Sequence, residues 1–130
     1  MSGARTRSTA HYEATAEFRI TASDTAAGFG ADFPAVASTP FVLGISEVTC
    51  HQAAKPLLQE GQITVGIGAK IDHLLPSKIG TTLTVRAVLT KRLGRRLHFR
   101  VSVSDEDKTV ARVAHWRAIT SLDRFRSLVS

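Results

Sequence analysis

The chain has 130 residues, 43% of them hydrophobic and 22% charged, which suits one soluble globular domain with a real core rather than a disordered or fibrous protein. No apolar run approaches the ~18 residues of a membrane span, and the lone Cys50 excludes an internal disulfide and fits a reducing cytoplasm. The net charge of +6 is lopsided: residues 1–75 carry 5 Lys+Arg against 7 Asp+Glu, residues 76–130 carry 12 against 4.

Met1 to Ala10, rich in Ser, Thr, Arg and Gly and without an apolar h-region, reads as a disordered tail and not a signal peptide. Residues 11–130 read as one domain. His11 to Thr21 predicts a first strand with Tyr12, Ala14, Ala16, Phe18 and Ile20 on one face. Ala22 to Ser38, with Gly28, Gly30 and Pro34 among Phe29, Phe33 and several alanines, has the composition of a movable loop or lid. Pro40 to about Leu58 is apolar on most sides, which predicts a buried helix whose regular part ends near Pro56. The period then changes from 3.6 to 2. Ile63, Val65, Ile67, Ala69 and Ile71 alternate with polar residues or glycine, as do Leu83 to Leu89 and Leu97 to Val103, and Thr109 to Thr120 is a fourth, more apolar strand. The joints Pro76–Gly80, Leu93-Gly94 and Asp105-Glu106-Asp107 are turn-like. One strand, one buried helix and a four-stranded meander give an α+β chain in which an antiparallel sheet of about five strands curls around one long helix, the hotdog fold.

Three residues around that helix carry the chemistry. Thr39 precedes Pro40, where a residue is pushed out of the α region, so it is either a plain N-cap or a hydroxyl beside free backbone N–H groups at the positive end of the helix, a place for an oxyanion. Glu47 is a carboxylate in the middle of an apolar helix, where burial without a partner is costly, so it wants a partner, water or a cavity and can serve as a general base. It lies eight residues beyond Thr39, about 12 Å along the axis, so the two are not expected to touch. His73 ends a strand before Leu74-Leu75-Pro76 and is either structural or the imidazole between them. Cys50, inside the helix, reads as a small buried hydrophobe. His11, His51, His98 and His115 lack metal-ligand spacing, so no metal is expected. Lys91-Arg92-Leu93-Gly94-Arg95-Arg96 is either a solvated hairpin tip or a phosphate-binding patch for nucleic acid or a nucleotide-tailed molecule.

From about His11 to Phe125 the chain resembles the bacterial fluoroacetyl-CoA thioesterase family of hotdog proteins. The resemblance is strongest in Phe33-Pro34-Ala35-Val36-Ala37-Ser38-Thr39, Gly44-Ile45-Ser46-Glu47-Val48-Thr49-Cys50, Gly66 through His73, and Gly94-Arg95-Arg96-Leu97. It implies hydrolysis of a short-chain or small substituted acyl-CoA to a free acid and CoA, with Thr39, Glu47 and His73 as the catalytic set and no cofactor beyond the CoA of the substrate. It also implies a substrate-facing Gly66, an Arg117 near the acyl end, Phe33 as a lid residue, and a homodimer with sites near its interface. One lid phenylalanine of the family is replaced by Gly30, which bears on fluoroacetyl selectivity. Within this reading Arg92, Arg95 and Arg96 are expected to hold the CoA phosphates. A non-catalytic acyl-CoA binder on the same fold is the alternative. A nucleic-acid module is not expected, since few aromatics accompany the basic residues, and neither is a membrane partner.

Overall fold

The computed structural model describes residues 12–130, so the expected tail over residues 1–10 lies outside the described residues. Strand β1 (Glu13–Arg19) leads through two short 3-10 turns (Ala22–Asp24 and Ala26–Phe29) to helix α1 (Thr39–Ala54), which tightens into a 3-10 turn at Lys55–Leu57 around Pro56. Strands β2 (Gln62–His73), β3 (Thr82–Leu93), β4 (Arg96–Asp105) and β5 (Lys108–Ser121) follow, and a short helix α2 (Leu122–Val129), absent from the sequence expectation, closes the chain.

The five strands form one antiparallel sheet in the order β1-β3-β4-β5-β2. The expected four-stranded meander is therefore three-stranded. After β2 the chain crosses to the far side of the sheet, and β2 pairs only with β5, leaving its other edge open. Alternation alone could not show this, because it gives each strand's faces but not its neighbours.

α1 lies across the concave face, packed chiefly on β3 and β1. Beneath it Leu83, Val85, Ala87 and Leu89 of β3 and Leu97, Phe99, Val101 and Val103 of β4 are all buried, as their alternation predicts, and meet Val42, Ile45, Cys50 and Ala53 of the helix. Burying one such Leu or Val contributes roughly 1.5–3 kcal/mol, so this layer supplies most of the drive to fold. The outward flank of α1, with Pro40, Gly44, Val48 and Gln52, is not covered by the sheet, and Val48 is 50% exposed.

The helix start differs from expectation in a way that matters for the site. Ser38, not Thr39, is the N-cap: its backbone is extended and its hydroxyl accepts a hydrogen bond from Phe41 N–H at 3.1 Å. Thr39 is the first helical residue, with its hydroxyl released from capping.

β2 does not present one apolar stripe. Its pairing with β5 slips between Gly66 and Gly68, so Ile67 is an extra residue, and it is exposed. Before this bulge Thr64 and Gly66 face α1, in register with Ile119 and Arg117; beyond it Ala69, Ile71 and His73 do, in register with His115, Val113 and Ala111. The inward parity switches from even to odd. The bulge is what brings Gly66 and His73 to the same face.

Candidate functional site

The polar residues of the concave face gather in two places, one at the N-terminus of α1 and one beside its middle. At its N-terminus Thr39 Oγ1 and His73 Nδ1 are 2.8 Å apart, a hydroxyl–imidazole hydrogen bond between the first residue of the helix and the last of β2. His73 Nε2 is covered and has no hydrogen-bond partner among the described residues. A cleft of about 270 Å³ opens beside the pair, walled by Val36, Ala37, Leu74 and Pro76. Phe41 and Val42 donate to Ser38 and Pro40 has no N–H, which leaves the Thr39 N–H as the donor at this helix end.

Two turns along α1, Glu47 reaches the other cluster. Arg117 Nη1 donates to Glu47 Oε2 at 3.1 Å and to His115 Nε2 at 3.1 Å, Nε donates to Thr64 Oγ1 at 2.8 Å, and Nη2 donates to the Thr64 carbonyl at 3.0 Å. Four bonds fix this guanidinium, which is buried, on a strand whose inward residues are otherwise apolar except for His115. The Glu47 side chain is 42% exposed, not buried as its apolar helix suggested, because it sits at the mouth of a cleft of about 550 Å³. Gly66 is the floor beneath it. A Cβ there would lie 2.5 Å from Glu47 Oε2 and 3.3 Å from both Arg117 and His115, so glycine lets the carboxylate rest against β2.

The histidine tautomers follow from their partners. His115 Nδ1–H donates to the Gly68 carbonyl at 2.8 Å and Nε2 accepts from Arg117, which makes His115 a neutral imidazole. Burial is the main force pushing its pKa down; the Gly68 carbonyl opposes the shift, Arg117 adds to it and Glu47 opposes it. Cys50 is buried under this cluster, and desolvation, the largest influence, pushes its thiol up to about 12, so it packs as the hydrophobe expected of it and supplies no thiolate.

The sequence profile of the fluoroacetyl-CoA-specific thioesterase family matches residues 20–123. The chain belongs to that family. It is 35% identical over 99 residues to the fluoroacetyl-CoA thioesterase of Streptantibioticus cattleyicolor, an alignment covering 76% of this chain and 71% of the relative. A crystal structure of a fluoroacetyl-CoA thioesterase superposes with a TM-score of 0.85 at 31% identity, covering 90% of this chain and 91% of the other. A thioesterase superfamily member from Thermus thermophilus shares the fold with a TM-score of 0.84 at 23% identity, covering 92% and 88%. The hotdog fold is thereby shown, and the family is one of thioester hydrolases.

Against this thioesterase family the expected residues divide as follows. Thr39 and His73 come together and line one cleft; Glu47 and Arg117, with Gly66 beneath the carboxylate, come together at another. Phe33 stands 54% exposed with its ring against Gly30, and lines neither cleft. Arg92, Arg95 and Arg96 sit exposed at the β3–β4 turn, where Gly94 takes a φ of 60° and Arg92 Nε donates to its carbonyl. Sequence reasoning missed Thr64, His51 and His115. His115 was signalled: it shares an inward parity with Arg117 on an apolar strand. Thr64 was hidden by the bulge, which places it opposite to the face that alternation assigns.

Proposed function

We propose that this protein hydrolyses a short-chain or small substituted acyl-CoA to free acid and CoA, with Thr39, Glu47 and His73 as its catalytic set. The observation that carries this is the 2.8 Å Thr39–His73 bond at a helix N-terminus. His73 accepts the Thr39 proton as the hydroxyl oxygen attacks the thioester carbonyl, and the N–H at the start of α1, with the helix dipole, stabilises the oxyanion. Collapse of the tetrahedral intermediate breaks the C–S bond, and the proton held by His73 passes to the departing CoA sulfur. A water that gives its proton to Glu47 then attacks the Thr39 ester, the bond between the acyl carbon and Thr39 Oγ1 breaks, and the proton returns to the Thr39 hydroxyl as the acid leaves.

This sequence needs Glu47 beside Thr39, and about 12 Å of helix separates them within one chain. Two copies related by a twofold axis passing α1 near Leu43 and Gly44 bring Thr39 and His73 of one against Glu47 of the partner subunit. Gly44 supports this: a Cβ there would meet nothing within 4 Å, so no contact inside the chain calls for glycine, which costs a helix about 1 kcal/mol relative to Ala. The half-covered Val48 lines the large cleft together with Ile63 and Thr64 of β2, the strand with the open edge. The site is thus read as shared between two protomers of a homodimer.

Arg92, Arg95 and Arg96 are proposed to hold the CoA phosphates. A variant of the fluoroacetyl-CoA thioesterase solved with fluoroacetate and CoA is 30% identical to this chain, covers 87% of it and 95% of itself, and has a TM-score of 0.82, which supports CoA as the thiol here. The test is thiol release from a panel of acyl-CoA thioesters by wild type and Glu47→Gln. The variant should fold normally and lose at least about 100-fold in kcat, the lower scale for loss of a general base. Wild-type binding of acyl-CoA without turnover would instead make the protein a binder.

A further inference from the structure

The large cleft holds a second imidazole that the catalytic sequence does not use. His51 lies four residues after Glu47, on the same flank of α1, and both border the cleft with Arg117. Its partner is Thr64: His51 Nδ1 and Thr64 Oγ1 are 2.6 Å apart. Thr64 Oγ1 already accepts from Arg117 Nε at 2.8 Å, and giving its own proton to His51 Nδ1 satisfies donor and acceptor together. With Nδ1 as the acceptor, the imidazole proton sits on Nε2, for which no hydrogen bond is found among the described residues. The strand thus orients an N–H donor that the chain itself leaves unused. Burial, then the charges of Arg117 and Lys55, push the His51 pKa down and keep the ring neutral. The rest of the wall is apolar or small, with Val48, Ile63 and Gly44.

We propose that His51 is a specificity-determining residue whose Nε2–H hydrogen-bonds an oxygen carried by the acyl group, so that the enzyme prefers small hydroxyacyl thioesters over aliphatic ones of the same size. The inference rests on the thioesterase reading above and adds the chemistry of the acyl group. A fixed donor in a partly covered cleft is left unpaired when a methyl group replaces the oxygen, and such mismatches discriminate more strongly than a difference in length.

The test compares hydroxyacetyl-CoA with propionyl-CoA, which differ by OH for CH3, on wild type, His51→Leu and His51→Gln. The readout is the ratio of their kcat/KM values, which a general loss of packing would not move. Wild type should favour hydroxyacetyl-CoA by about 10-fold or more, the equivalent of one hydrogen bond. His51→Leu should bring the ratio near one, and His51→Gln, which keeps an N–H donor, should retain part of it. A wild-type ratio near one, or a ratio unchanged in His51→Leu with the thermal transition preserved, overturns the proposal. Hydrolysis of neither thioester by wild type overturns the thioesterase reading and this inference with it.

Discussion

Gly66 shows how one missing side chain can set a carboxylate. Its Cα lies under Glu47, and the atom a Cβ would strike is the tip of a flexible side chain rather than backbone. Gly66→Ala is therefore expected to fold with little change in stability while pushing Glu47 off Arg117. Displacements of about 1 Å at a reacting group cost up to about 100-fold in rate, so kcat should drop at least about 10-fold with the thermal transition within a few degrees of wild type. Equal kcat would place Glu47 outside the chemistry. His115 makes a separate prediction. Unfolded, it takes up a proton near 6.5; folded, its pKa is lowered, chiefly by burial. Below that pH the unfolded chain binds more protons, so stability falls as pH drops through 6.5 and on until the folded imidazole titrates. His51 acts with the same sign. The melting temperature should fall between pH 7.5 and pH 5, less steeply in His115→Gln, which can keep a donor to Gly68 and an acceptor for Arg117. Glu47 was visible in the sequence as a carboxylate in an apolar helix, Thr39 as the residue before Pro40, and His73 as a strand-end imidazole, whereas Arg117 came only through the family resemblance. Which of them touch was not, because contact depends on the bulge and the cap.

At the scale of elements, α1 and β2 position everything. Ser38 and Thr39 illustrate a division of labour between adjacent hydroxyls: one caps, the other meets His73. Ser38→Ala should cost about 1 kcal/mol of stability, seen in denaturant titration. Thr39→Ala, which removes no cap, should leave stability nearly unchanged and abolish most activity; the reverse pattern would make Thr39 the structural residue. The sequence marked a helix start here through Pro40, but Ser and Thr are comparable caps and neighbours, so propensity could not choose between them. The β2 bulge was equally illegible. Gly66 and Gly68 hinted at irregularity, yet a perfect alternation of Ile63, Val65, Ile67, Ala69 and Ile71 argued for one face, and only pairing with β5 reveals the extra residue. The strands of the core, by contrast, follow their alternation residue by residue from Leu83 to Leu89 and from Leu97 to Val103.

At the scale of the whole molecule, the distribution of charge dominates. The β3–β4 turn concentrates the positive charge of the C-terminal half, with Arg92, Arg95 and Arg96 all exposed. Changing Arg95 and Arg96 together to Ala should raise KM for acyl-CoA more than it lowers kcat, and raising ionic strength should narrow the difference from wild type. Unchanged kinetics would put the phosphates elsewhere. Among the described residues no helix is long and apolar enough to cross a membrane. Beyond the homodimer that the family resemblance implies, the proposed shared site rests on a free flank of α1 and an open edge of β2, which become meaningful only once the fold is drawn.

Mixing two inactive variants, Thr39→Ala and Glu47→Gln, under conditions that exchange subunits decides whether the site is shared. If Thr39 and His73 of one copy work with Glu47 of the partner subunit, each mixed dimer contains one site with both residues intact. About half the dimers are mixed at equal concentrations, so acyl-CoA hydrolysis should return to about a quarter of the wild-type rate. Both variants alone should stay near background. A mixture that remains as inactive as its components, with subunit exchange verified by native mass spectrometry, would contradict the shared site.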